Sequence, residues 1–172
     1  MKFTKGFWTV FDVALNVMTF VAGFLLILVM LVVSANVALR YIFHRPVGWS
    51  IEVSLYLLIF IAFLVIAWVL REEGHVKMDI ITLKLKESTR DLVDTITSAV
   101  NTLISILVTV AAVKVTWDLY ESDYFTPTIL MMPKWIFVAV IAFGFFMLSI
   151  QFMRRTQGYF IKWRSQHRPS EG

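Results

Sequence analysis

The chain has 172 residues, of which 59% are hydrophobic and only 16% charged, and its mean hydropathy is +0.76. That excludes an ordinary soluble domain and places it among integral membrane proteins. The formal charge of +4 comes from Lys and Arg that flank apolar runs, a pattern of membrane topology and not of nucleic-acid binding; the lack of cysteine excludes disulfides, thiolate catalysis and Cys-based metal sites.

The opening MKFTKGFWTVFDV sets Phe7, Trp8 and Phe11 at helical spacing beside Lys2 and Lys5, which suits a short interfacial lead-in. Span one is expected over about 13–39. Val33-Ser34-Ala35 resembles a signal-peptide cleavage site, but the apolar run before it is too long for such a peptide, so a retained span is expected. At this length it must tilt or protrude. Asn16, Thr19, Gly23, Met30 and Ser34 form a stripe of polar, small and flexible residues along it.

Pro46 ends any helix arriving from upstream. Span two, about 51–70, carries only Glu52, Ser54 and Tyr56 as polar side chains, and twenty residues at helical rise cover about 30 Å of hydrocarbon. Ser50 is the expected N-cap, Glu52 suits the first turn, and Gly74 suits the stop. In the polar connection that follows, Asp79 is expected to cap a short helix on the membrane surface, about 79–87, with Met78, Ile81 and Leu85 facing lipid.

Ser88 and Asp91 read as a capping box opening span three, about 92–117. Ser98, Thr102, Ser105 and Thr109 share one face of it, with Asn101 beside them, and such a face packs closely on another helix. Whether that helix belongs to this chain or to another stays open at this point. A polar connection, 118–132, carries Asp118, Glu121 and Asp123, read as a solvated loop with a docking surface as the other reading. Pro133 suits the first position of span four, about 134–153, whose small residues are Ala139, Ala142 and Gly144. A basic tail, 154–172, is expected to anchor at the interface through Tyr159, Phe160 and Trp163 and then lose order.

The expected fold class is therefore an all-α integral membrane protein, one membrane domain of four transmembrane helices with short amphipathic interfacial helices. Only Arg40, Arg45, Lys114 and Lys134 of the 16 Lys and Arg fall on the side away from the termini, so both termini are expected in the cytoplasm.

An electron carrier with haem between spans needs histidines on them, yet His44, His75 and His167 lie in connections or the tail. No Asp or Glu sits near mid-membrane to form a proton relay or ion path, and metal spacings, phosphate loops and nucleophile elbows are absent. No catalytic, cofactor or metal site is expected, and the chain does not read as an enzyme. The polar residues that stand out are Asn36, Arg40, Glu52, Asn101 and Lys114. Arg40 and Glu52 fall at the same outer face and are expected to pair, pinning two helix ends, with contact to a substrate or a docking protein as the other reading.

The ordered motifs are N-x-x-x-R-Y-x-F-x-R-P at Asn36, Arg40, Tyr41, Phe43, Arg45 and Pro46; W-S-x-E at Trp49, Ser50 and Glu52; then, after the span, Arg71, Glu72, Gly74, His75 and Asp79. Thr126-Pro127 and Pro133-x-Trp135 follow. This set resembles the small membrane subunit, the DctQ type, of the tripartite ATP-independent periplasmic (TRAP) transporters. It departs from that pattern at Met131-Met132, where a Gly-containing pair is common, and at Ala142, where a proline often stands. The resemblance implies a scaffold in the bacterial inner membrane that holds a large elevator-type subunit. That subunit takes up an organic acid, sialic acid or a C4-dicarboxylate, with sodium, from a periplasmic substrate-binding protein. On this reading Asn36, Arg40, Glu52, Ser98, Asn101, Thr102, Ser105 and Gly23 make structural or partner contacts, and Arg45, Asp118, Glu121 and Asp123 are candidates for periplasmic docking. The competing readings are a free-standing four-helix transporter and the membrane anchor of a respiratory enzyme.

Overall fold

In lipid every backbone N–H and C=O must be paired within the segment, so apolar runs of this length form uninterrupted helices. A computed structural model describes residues 2–43, 48–73 and 87–166. Four helices, α1 (Lys2–Phe43), α2 (Gly48–Glu73), α3 (Glu87–Glu121) and α4 (Lys134–Gln166), account for nearly all of them. All four are long and apolar enough to cross a membrane. The chain's four prolines all lie outside these helices.

The helices form a row. α1 packs on α2, α2 on α4, and α4 most extensively on α3. Charged residues mark the depth. Glu52 and Arg71 on α2, and Lys134 and Arg154 on α4, are each separated by about 28–30 Å of helix, the thickness of the hydrocarbon core. α1 has 42 residues, about 63 Å, so it runs well past that slab.

A small core sits at one end of the row, built from Phe11, Leu15 and Met18 of α1, Ala67 and Leu70 of α2, and Leu148 of α4, with Leu15 wholly buried. Burial against lipid-like neighbours gains no hydrophobic transfer energy. Close van der Waals packing and hydrogen bonds must therefore hold the helices. The closest approach is at Gly144: a Cβ built there would stand 2.6 Å from the Phe63 carbonyl oxygen and 2.9 Å from its Cβ. The missing side chain is what lets α4 lie against α2.

Several boundaries differ from the sequence reading. The lead-in is continuous with span one, and its Phe11 belongs to the core, because the helix has no reason to break before Pro46. α2 begins at Gly48, so Ser50 is inside the helix and buried, not its N-cap; its carbonyl accepts the Ser54 hydroxyl instead. α3 begins at Glu87, one residue ahead of Ser88, and continues to Glu121, so Asp118 and Glu121 lie on its last turns and not in a loop. Pro133 directly precedes α4, which carries on to Gln166 and takes in much of the expected tail. Arg45, Gly74, the Asp79 cap and the expected surface helix up to residue 86 lie outside the described residues, as do 167–172.

Candidate functional site

Polar groups gather at the two ends of the helices, top and bottom of the row. At the Glu52 end, the loop joining α3 to α4 folds back onto the start of α2. Its amides cannot bond within a helix, and Glu52 supplies the acceptors: Ile129 N–H donates to Oε1 at 3.0 Å and Leu130 N–H to Oε2 at 3.1 Å. One turn along α2, the Tyr56 hydroxyl lies 3.0 Å from Thr128 Oγ1 and 3.4 Å from Thr126 Oγ1, while its ring stacks on Phe137 at 4.4 Å between centroids. Thr126 closes the loop on itself. Its hydroxyl donates to the Met132 carbonyl at 3.0 Å, and both its N–H and the Met132 N–H take part in the same clasp. The tight fold forces Asp123 and Met131 to positive φ, 45° and 42°. Side chains rarely adopt that region and glycine does so freely. A Gly-containing pair suits Met131-Met132 for that reason.

The opposite end is ionic. Arg154 of α4 donates to Asp12 Oδ1 of α1 at 2.7 Å, and Arg71 of α2 lies 3.8 Å from the same oxygen. Arg71 also donates to Asn16 Oδ1 at 2.7 Å, and the Arg154 guanidinium lies over the Trp8 ring at 4.8 Å. One carboxylate thus ties three helices together where the hydrocarbon ends.

The expected Arg40–Glu52 pair is not formed. Asn36 faces Ser50 and Ile51 across a hollow of about 210 Å³ between α1 and α2, which puts Arg40 a further turn out, exposed. Glu52 is committed to the loop on the side of α2 that faces α4. Among the described residues, no ion pair joins the two.

The two stripes have different fates. Ser98 and Ser105 on α3 are buried, and Thr102 and Thr109 donate their hydroxyl protons to the carbonyls of Ser98 and Ser105. Asn101 is half-buried beside them. α3 packs on α4 and on no other helix to comparable extent, so this face is internal to the chain. On α1, Gly23 is exposed with nothing within 4 Å of the position a Cβ would take. Of the acidic trio, Asp118, Glu121 and Asp123 are all exposed, and Glu121 accepts the Trp117 indole N–H at 2.7 Å.

The Asp12 knot and the Glu52 clasp were missed from sequence. A signal for the first existed: one acid and two arginines at the same depth on three spans. The second had none, because its donors are backbone amides. No cluster of His, Asp or Glu able to hold a metal occurs among the described residues. What the arrangement offers is an end-stapled wall of helices, with no metal-ligating cluster and no carboxylate at mid-depth among the described residues.

The DctQ component family of the tripartite ATP-independent periplasmic transporters matches residues 29–158, well over half of the chain, and the chain belongs to that family. No curated protein matches it.

Proposed function

We propose that this chain is the scaffold subunit of its transporter, a multi-pass protein of the bacterial inner membrane. In this reading it holds a large elevator-type subunit during sodium-driven uptake of an organic acid delivered by a periplasmic binding protein. Sialic acid and C4-dicarboxylates are the classes the sequence resemblance suggests. The observation that carries the reading is the distribution of charge and packing. Binding a carboxylate and its driving cations calls for charged groups or freed carbonyls at membrane depth, usually in broken helices. Here the spans are continuous, no acid lies in the middle of any of them, and the ionic contacts staple the ends. A third or less of each span's apolar window is buried within the chain, which leaves surface for a partner.

Both termini face the cytoplasm in this scheme, and the Glu52 clasp faces the periplasm, where Arg45, Asp118, Glu121 and Asp123 could meet the binding protein. The α1 face at Gly23 is the one we assign to the large subunit, and Gly23→Leu should weaken co-purification while leaving the isolated chain folded. Reconstitution tests the whole. Sodium-driven uptake by this chain alone in liposomes would overturn the scaffold reading; uptake only with the large subunit and the binding protein is the expected result.

A further inference from the structure

The loop joining α3 to α4 turns its amides inward and its apolar side chains outward. Residues 124–132 include no charged side chain. Ile129 and Met131 are each 70% exposed, and Tyr124, Phe125 and Leu130 are exposed as well. The amides of Thr126, Thr128, Met131 and Lys134 donate to carbonyls of the loop itself, those of Ile129 and Leu130 to Glu52, and that of Met132 to the Thr126 hydroxyl. Pro127 and Pro133 have no amide to satisfy. Every amide from 126 to 134 is thus bonded within the protein. A loop in water has no need of this, because solvent takes up a free amide. Lipid offers no such bond, so backbone at membrane depth must close off its own groups.

The depth of the loop agrees. It is held by Glu52 and Tyr56, in the outermost turns of α2, and Glu52 marks the edge of the hydrocarbon slab. The helix ends that flank it carry Tyr120 and Trp135, whose rings meet edge to face at 5.7 Å, as in an interfacial aromatic belt. Lys134 Nζ lies 4.7 Å from the centre of the Tyr124 ring and puts a cation at headgroup level. Asp118, Glu121 and Asp123 all precede Tyr124, so the charged half of the connection ends where the apolar half begins. We propose that residues 124–132 are a membrane-immersed loop: Phe125, Ile129 and Met131 enter the nearest leaflet while Asp118 and Asp123 stay in water. The partner of this surface is the lipid. A soluble protein that must come and go is steered by charge, and this stretch has none. The inference rests on the chain lying in a membrane and not on its scaffold role.

The test is spin labelling of the full chain in palmitoyl-oleoyl phosphatidylcholine vesicles. The chain has no cysteine, so Ile129→Cys, Met131→Cys, Ser122→Cys and Leu107→Cys each carry a single label. Power saturation compares collisions with oxygen, which concentrates in lipid, and with a nickel chelate, which stays in water. Leu107 is exposed in the middle of the α3 span and sets the lipid-facing value; Ser122, beside Asp123, sets the aqueous one. The oxygen-to-nickel ratio at 129 and 131 should exceed that at 122 several-fold and approach that at 107. A ratio at 129 and 131 equal to that at 122 would refute the proposal, and a lipid-like value at 107 then shows that the spans are inserted and the loop alone is dry of lipid. The same labels are read again with the large membrane subunit and the binding protein present. Loss of both oxygen and nickel collisions at 129 and 131 would also overturn the proposal, since the loop would then be a protein contact. The two loop positions are independent of each other, and circular dichroism verifies that each variant folds.

Discussion

Gly144→Ala is the sharpest probe of how this wall of helices is held. The added methyl would sit 2.6 Å from the Phe63 carbonyl oxygen, where ordinary van der Waals contact begins near 3.4 Å. Backbone cannot rotate away, so α2 and α4 must separate by about 0.8 Å. A gap of that size forfeits a quarter to a half of the dispersion energy of each contact it opens. Overpacking of this kind costs about 1–3 kcal/mol. Alanine's better helix propensity offsets up to about 1 kcal/mol of that, and this gain must be removed before the steric cost is read. Gly23→Ala supplies the correction: it is also helical, and nothing lies within 4 Å of the new methyl. We expect Gly144→Ala to be less stable than Gly23→Ala by about 1–3 kcal/mol in sodium dodecyl sulfate titrations of bicelle-reconstituted protein, followed by circular dichroism. Equal stability of the two variants, within about 0.5 kcal/mol, would refute the claim that Gly144 sets the α2–α4 distance.

Glu52→Gln should cost about 1–2 kcal/mol, because two charge-assisted bonds to Ile129 and Leu130 N–H become at most one neutral bond. Faster hydrogen exchange of residues 122–132 by mass spectrometry reads this out, and Arg40→Gln should leave that exchange unchanged. Asp12→Asn leaves Arg71 and Arg154 facing each other without their shared carboxylate, and should cost roughly 1–2 kcal/mol, between the values for exposed and buried pairs, in the same titration. Met131→Gly should stabilise the loop by up to about 1 kcal/mol by relieving the positive φ, less the entropy glycine loses on folding; slower exchange at residues 129–132 is the expected sign.

Hydropathy and length alone determined four helices long and apolar enough to cross a membrane, because no other backbone arrangement of such runs satisfies its polar groups in lipid. The helices run beyond the expected spans, most of all at the start of α1, Lys2, and the end of α4, Gln166, because polar sequence can continue a helix past its apolar run, beyond the reach of hydropathy. The ordered motifs also carried the family, and three of their residues turn out to hold the fold: Glu52 and Thr126 in the clasp and Arg71 in the ionic knot.

Which residues meet was a different matter. Arg40 and Glu52 share a predicted depth, but depth does not say which side of α2 an acid faces, and Glu52 turned to backbone amides that sequence cannot display as partners. The α1 and α3 stripes read alike, yet Gly23 on one is open and Ser98 and Ser105 on the other are buried: both helices end the row with a single neighbour, and only the packing decides which face of each is turned to it. A helix records its own faces in its sequence; which of them is covered is a property of its neighbours.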